Sequence, residues 1–177
     1  MDKPKTSFAK HALETIVTYV KTKNTNELKR KEVPEEFNEK LACFVSIHNK
    51  DESLRGCIGT IEPREDNLWL EIISNAISAC SNDSRFTAVK SDELDQLDIS
   101  VDVLSKPEKV EDINMLNPKK YGVIVTDGNY MRGVLLPDIE GVDTVLEQIK
   151  IAKRKAGLAD MENEFLEIYS FTSTRYH

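Results

Sequence analysis

Leu97-Asp98-Ile99-Ser100-Val101-Asp102-Val103-Leu104 alternates apolar and polar side chains from its first residue to its seventh. Successive side chains of a strand point to opposite faces, so this period of two predicts a strand with Ile99, Val101 and Val103 in a core and Asp98, Ser100 and Asp102 in solvent. Downstream, Tyr121–Thr126 and Tyr130–Leu136 flank Asp127-Gly128-Asn129, a hairpin signal because both central residues of a tight turn need positive φ. Upstream, Leu41–Ile47 reads as a buried strand, Asn49–Ser53 as a turn, and the segment after it as a second strand ended by Pro63. A further strand is expected over Leu166–Thr172.

Three helical periods separate these strands. Phe8, Ala9, Ala12, Leu13, Ile16, Val17 and Val20 recur at helical spacing behind Thr6 or Ser7 as cap. Leu68, Trp69, Ile72, Ile73, Ala76, Ile77 and Cys80 form the stripe of a second helix opened by Asp66 or Asn67. Val142, Val145, Leu146, Ile149 and Ala152 mark a third, with Lys153, Arg154 and Lys155 at its negative end and Gly157 as its left-handed cap. The order argues for an α+β fold: a mainly antiparallel sheet with helices packed on one side, plus a smaller β-containing lobe. One domain over residues 1–177 is expected, the lobe lying around 41–66 or 120–137.

Composition narrows the function classes. The chain carries a net charge of −7, with 40% hydrophobic and 31% charged residues. Nucleic-acid backbones repel such a chain, and the basic run Lys21, Lys23, Lys29, Arg30 and Lys31 is followed at once by Glu32, Glu35 and Glu36. It reads as a solvated connection broken by Pro34, so no nucleic-acid binding is expected. No apolar run is long enough to span a membrane, and the N-terminus lacks an apolar signal core. Three cysteines, Cys43, Cys57 and Cys80, are odd in number and lack metal-ligand spacing, which predicts free thiols and a cytoplasmic location. His11, His48 and His177 add no ligand spacing, and neither a phosphate-binding loop nor a dinucleotide fingerprint is present, so neither a metal nor a cofactor is expected.

The chemistry-bearing types gather in Leu54-Arg55-Gly56-Cys57-Ile58-Gly59-Thr60 and in the loop Asp83-Ser84-Arg85-Phe86. Two readings stay open for Gly56 and Gly59: a structural one, either a bulge, which would change the hairpin register, or close packing of a helix on the strand; or else a bare backbone that lets a ligand reach Cys57 and Thr60. A cysteine is a nucleophile only where its thiolate is favoured. A regular hairpin with a five-residue loop would set Cys57 near Val45, among the apolar side chains of Cys43, Val45 and Ile47, and slow its alkylation. Arg55, Arg85 and Arg132 each adjoin a glycine, a loop or a turn, where they can converge on a carboxylate or phosphate or else pair with Asp83, Asp98 or Asp102.

Five ordered blocks carry a family resemblance. Leu54-Arg55-Gly56-Cys57-Ile58-Gly59 resembles the signature hexapeptide of the AMMECR family, and Asp83-Ser84-Arg85-Phe86 resembles its Asp-Pro-Arg-Phe segment. Leu97–Ser105 is similar to its central strand, and Gly133-Val134-Leu135-Leu136-Pro137 and Lys155-Ala156-Gly157-Leu158 to two later segments. The resemblance implies an α+β fold with a larger and a smaller part and no assigned activity. It also implies association, in the AmmeMemoRadiSam system, with a Memo-like protein and a radical S-adenosylmethionine enzyme. The expected role is therefore an accessory or binding component. The alternative is an enzyme acting on a small anionic molecule, with Cys57 as reactive group and Arg55, Gly56, Gly59, Thr60, Asp83 and Arg85 binding the ligand. Ser84 stands where the family has proline, which would loosen the loop holding Arg85, and Asp138 stands where glutamine is common.

Overall fold

The structure, a computed structural model, describes residues 4–162 and 165–177. The described chain holds two four-stranded antiparallel sheets and divides into two compact units, residues 1–103 with 174–177, and 104–173.

In the first unit, helix α1 (Ser7–Thr22) starts where Thr6 Oγ1 accepts the Ala9 N–H at 3.3 Å, satisfying a donor that the helix leaves open. It ends on Lys23 in the left-handed conformation. The basic connection is only partly solvated. Lys29, Arg30 and Lys31 are exposed, but a short turn, α2 (Asn26–Lys29), and a single 3-10 turn at Glu35–Phe37 bury Leu28 and Phe37. Helix α3 (Leu68–Ser81) is capped by Asn67, whose side chain accepts the Leu70 N–H at 3.0 Å. Its Trp69 donates Nε1–H to the Leu28 carbonyl and stacks on the His11 ring at 3.5 Å, with Phe37 edge-on to the indole. The sequence places two of these aromatics in polar surroundings, and the packing makes them one cluster.

His11 titrates in that cluster. Its Nε2–H donates to the Trp69 carbonyl at 3.1 Å, its Nδ1 has no partner, and burial pushes its pKa down from 6.5 to about 4. The unfolded chain therefore binds this proton more readily than the native one. His11 contributes fully to stability above pH 6.5, and the contribution is lost as pH falls through about 4, a difference of up to about 3 kcal/mol. The urea midpoint should fall between pH 7 and pH 4, and His11→Gln should flatten that fall; an equal slope in the variant would contradict the assignment.

The first sheet runs in the order β2 (Leu54–Gly59), β1 (Cys43–Asn49), β3 (Leu97–Leu104), β8 (Ser173–Tyr176). Helix α3 lies on β1 and β2, and α1 packs on α3. Val45, Ile47, Ile99 and Val101 are fully buried or nearly so in this core. The opposite face of β3 departs from expectation. Asp98 is exposed, but Ser100 and Asp102 are buried, so the alternation in the sequence marks two covered faces rather than one wet and one dry.

The second unit is a sheet of order β4 (Glu108–Lys109), β7 (Glu167–Phe171), β5 (Gly122–Thr126), β6 (Arg132–Leu135), with helix α4 (Val145–Ala156) on β5 and β6. Thr144 caps α4, and Gly157 closes it at φ 74°. The β5–β6 connection is not the two-residue turn its Asp-Gly pair suggests. It spans residues 127–131, only Gly128 has positive φ, and Asp127 Oδ1 accepts the N–H groups of Asn129 and Met131. The expected last strand is observed as β7, and β8 follows it unforeseen. Among the described residues, no helix is long and apolar enough to cross a membrane.

Candidate functional site

The β1–β2 hairpin is irregular between Ile47 and His48, and this decides where Cys57 points. Gly56 pairs with Ile47, but His48 pairs with Leu54, leaving Arg55 as an extra residue on β2. The bulge shifts the register by one. Cys57 therefore lies across from Ser46, whose hydroxyl donates to Sγ at 3.2 Å, and not beside Val45. The regular register anticipated from the sequence is corrected, and with it the apolar surroundings that it implied. Ile58 joins Val45 on the core face instead.

The thiols differ accordingly. Burial pushes Cys43 up to about 12 and Cys80 up to about 11, keeping both protonated and inert, whereas Cys57 is half-buried. None of the three is in a disulfide.

The glycines of the hexapeptide are packing devices. A Cβ on Gly56 would stand 2.4 Å from the Ala79 carbonyl oxygen of α3, so the strand touches helix backbone directly. A Cβ on Gly59 would stand 2.3 Å from the Phe44 ring, which fills the space a side chain would take. Thr60 is also committed: its hydroxyl donates to Glu71, a carboxylate that is 1% exposed and also accepts the N–H groups of Arg64 and Glu65 at 2.8 Å each. Asn75 donates to the Cys43 carbonyl at 3.0 Å and completes the cluster. This buried carboxylate was not among the residues singled out from the sequence, where it reads as the polar side of a helix.

Arg55 and Arg85 have different fates. Arg55 grips Glu93 with two bonds, at 2.7 and 3.1 Å, and donates to the Thr87 carbonyl at 2.9 Å. It lines a shallow depression of about 400 Å³ with Phe86, Thr87, Lys90, Asp92 and Glu93, where Arg85 does not appear. Arg85 belongs to the loop after α3, and Asp83 organises that loop. Asp83 Oδ1 accepts Arg85 N–H at 3.1 Å and Nε–H at 2.9 Å, while Oδ2 accepts Nη2 at 2.7 Å and the Cys57 N–H at 2.9 Å. Arg85 also donates to the Cys57 carbonyl at 3.1 Å. The Leu54–Thr60 strand and the 83–86 loop thus meet at Cys57. The Arg85 guanidinium, helped by the Cys57 N–H, holds the Asp83 carboxyl well below the usual carboxylate range against the opposing effect of burial. Asp83 ties the loop to β2 through the Cys57 N–H and to Arg85 across Ser84. Arg132 lies on β6 and Asp138 beyond it, both in the second unit, and Asp138 is 3.8 Å from the Lys119 ammonium. Among the described residues, no group of three His, Cys, Asp or Glu could hold a metal.

An α+β chain of two antiparallel sheets, with one half-buried thiol tied to an Asp–Arg loop, is what the fold and this corner define. A family model described as AMMECR1 matches residues 9–176, and the chain belongs to that family. A protein of Thermotoga maritima is 51% identical over 98% of this chain and 97% of its own length. A Clostridium acetobutylicum protein is 46% identical over 95% of this chain, which spans only 36% of that longer relative. The crystal structure of an uncharacterized protein from Pyrococcus horikoshii, 31% identical, superposes with a TM-score of 0.80 over 95% of this chain and 88% of that one.

Proposed function

We propose that this chain is a binding component acting with a Memo-like protein and a radical S-adenosylmethionine enzyme, and that Cys57 with the Asp83–Arg85 loop is its contact point. One observation carries the reading: in the signature segment Arg55 and Thr60 are committed to carboxylates of the fold, whereas the Cys57 thiol only accepts the Ser46 hydroxyl. Arg55 is taken by Glu93 and Thr60 by Glu71. Among the described residues, the thiol's hydrogen-bond partner is the Ser46 hydroxyl, a poor base. What is left to meet another molecule is a thiol beside a guanidinium that is 55% exposed. The longer Clostridium relative supports the same reading, since there the matching segment works beside further polypeptide. The partner class itself comes from the family resemblance.

The test is a calorimetric titration of the chain with a Memo-like protein. Arg85→Ala should weaken binding at least about tenfold, the cost of one charge-assisted contact, while Cys57→Ser leaves affinity unchanged. Equal affinity for Arg85→Ala would move the contact elsewhere. A second reading, an enzyme acting on a small anionic molecule through Cys57, is favoured by the juxtaposition of thiol and guanidinium. In that case Cys57→Ser would abolish a turnover that Arg85→Ala only weakens.

A further inference from the structure

Two aspartate–arginine pairs flank Cys57 in the first unit, one against the backbone of the edge strand β2 and one on β3 and β8. The first is Asp83 with Arg85. The second is Asp102 on β3 with Arg175 on β8, joined by Nε to Oδ1 at 2.9 Å and Nη2 to Oδ2 at 3.1 Å. Both pairs have the same polarity. The aspartate side chains are 4% and 8% exposed, while the arginine side chains are 55% and 57% exposed. Register places Asp102 on the same face as the thiol: Cys57 lies across from Ser46, Ser46 across from Ser100, and Asp102 follows Ser100 by two residues. Ser100 is 2% exposed and its Oγ has no partner in the fold. A buried hydroxyl without a partner is rare enough to point to a group from outside the chain.

Each arginine commits Nε and Nη2 to its aspartate and keeps Nη1 for another acceptor. The buried carboxylates fix the two guanidiniums in advance, so a ligand need not order two long side chains on binding. We propose that Arg85 and Arg175 form a two-armed site over Cys57 for an oxyanion, the carboxylate or phosphoryl group of a small molecule. The inference rests on the reading of the Cys57 corner as the binding surface and adds the ligand class and the second arm.

The full chain is alkylated under native conditions with iodoacetate, an anion, and iodoacetamide, its neutral analogue. Only Cys57 reports, because Cys43 and Cys80 are buried. The ratio of the two rates cancels the intrinsic reactivity of the thiol and reads the local potential. Arg85→Gln and Arg175→Gln should each lower that ratio about twofold to threefold at low salt, the order of the Coulomb effect of removing one nearby charge in water. Arg175→Gln strands the buried Asp102 carboxylate, so Asp102→Asn/Arg175→Gln is measured beside it and Arg175→Lys should restore the ratio. Inorganic phosphate or acetate at millimolar concentration should slow both reagents in the wild type and in neither arginine-to-glutamine variant; which anion protects at lower concentration separates phosphoryl from carboxylate. An unchanged ratio in Arg175→Gln, with undiminished protection in both Arg175 variants, would overturn the two-armed site; the charge-neutral double variant is read by protection alone. Partner binding that still required Arg85 would then leave the corner standing, and partner binding indifferent to Arg85 would remove the corner as well.

Discussion

Gly56→Val is expected to destabilise the chain by about 3 kcal/mol or more, the upper range for forcing volume into a closed contact. Even the first added carbon would meet the Ala79 carbonyl oxygen at 2.4 Å, and that oxygen belongs to helix backbone, which cannot rotate aside. Either β2 lifts from α3 or α3 moves off the sheet, and the apolar contacts of Ile47 and Ile73 open with it. Urea unfolding measures the loss, and a midpoint within error of the wild type would show that the strand does not rest on the helix. Partner affinity per folded molecule should be largely retained in a milder Gly56→Ala variant, since glycine here is a spacer.

Glu71→Ala should cost about 3–5 kcal/mol. The substitution leaves the Thr60 hydroxyl and the N–H groups of Arg64 and Glu65 without their acceptor in a nearly closed site, and each such group costs about 1–3 kcal/mol. Glu71→Gln should recover only part, because its amide NH2 faces donors. Thermal unfolding gives the answer. A loss below about 1 kcal/mol would mean that water reaches the cluster and that Thr60 is free to serve a ligand after all.

The helices and their ends were legible in the sequence, since Thr6, Asn67 and Gly157 act locally through a side chain or a permitted φ. The strands other than β4 and β8 were legible too, although period two fixes which residues alternate and not what covers each face; Asp102 looked solvated for that reason. The bulge was legible only as an option that Gly56 allows, because nothing local tells which residue is the extra one until β1 and β2 meet. That single residue reversed the surroundings of Cys57. Arg175 was missed because its meaning comes from Asp102, 73 positions away, across a strand pair that no short window contains. Both signature segments were found by composition and resemblance, while their division of labour was not: the glycines, Arg55 and Thr60 build the corner, and Cys57 and Arg85 are presented by it.

Hydrogen–deuterium exchange of the full chain, with and without a saturating Memo-like protein, tests that division most directly. New protection is expected only in the first unit, at residues 54–60 and 83–86, with α1 and the 145–156 helix unchanged. Protection centred on other segments, with exchange at 54–60 and 83–86 the same in both states, would contradict it.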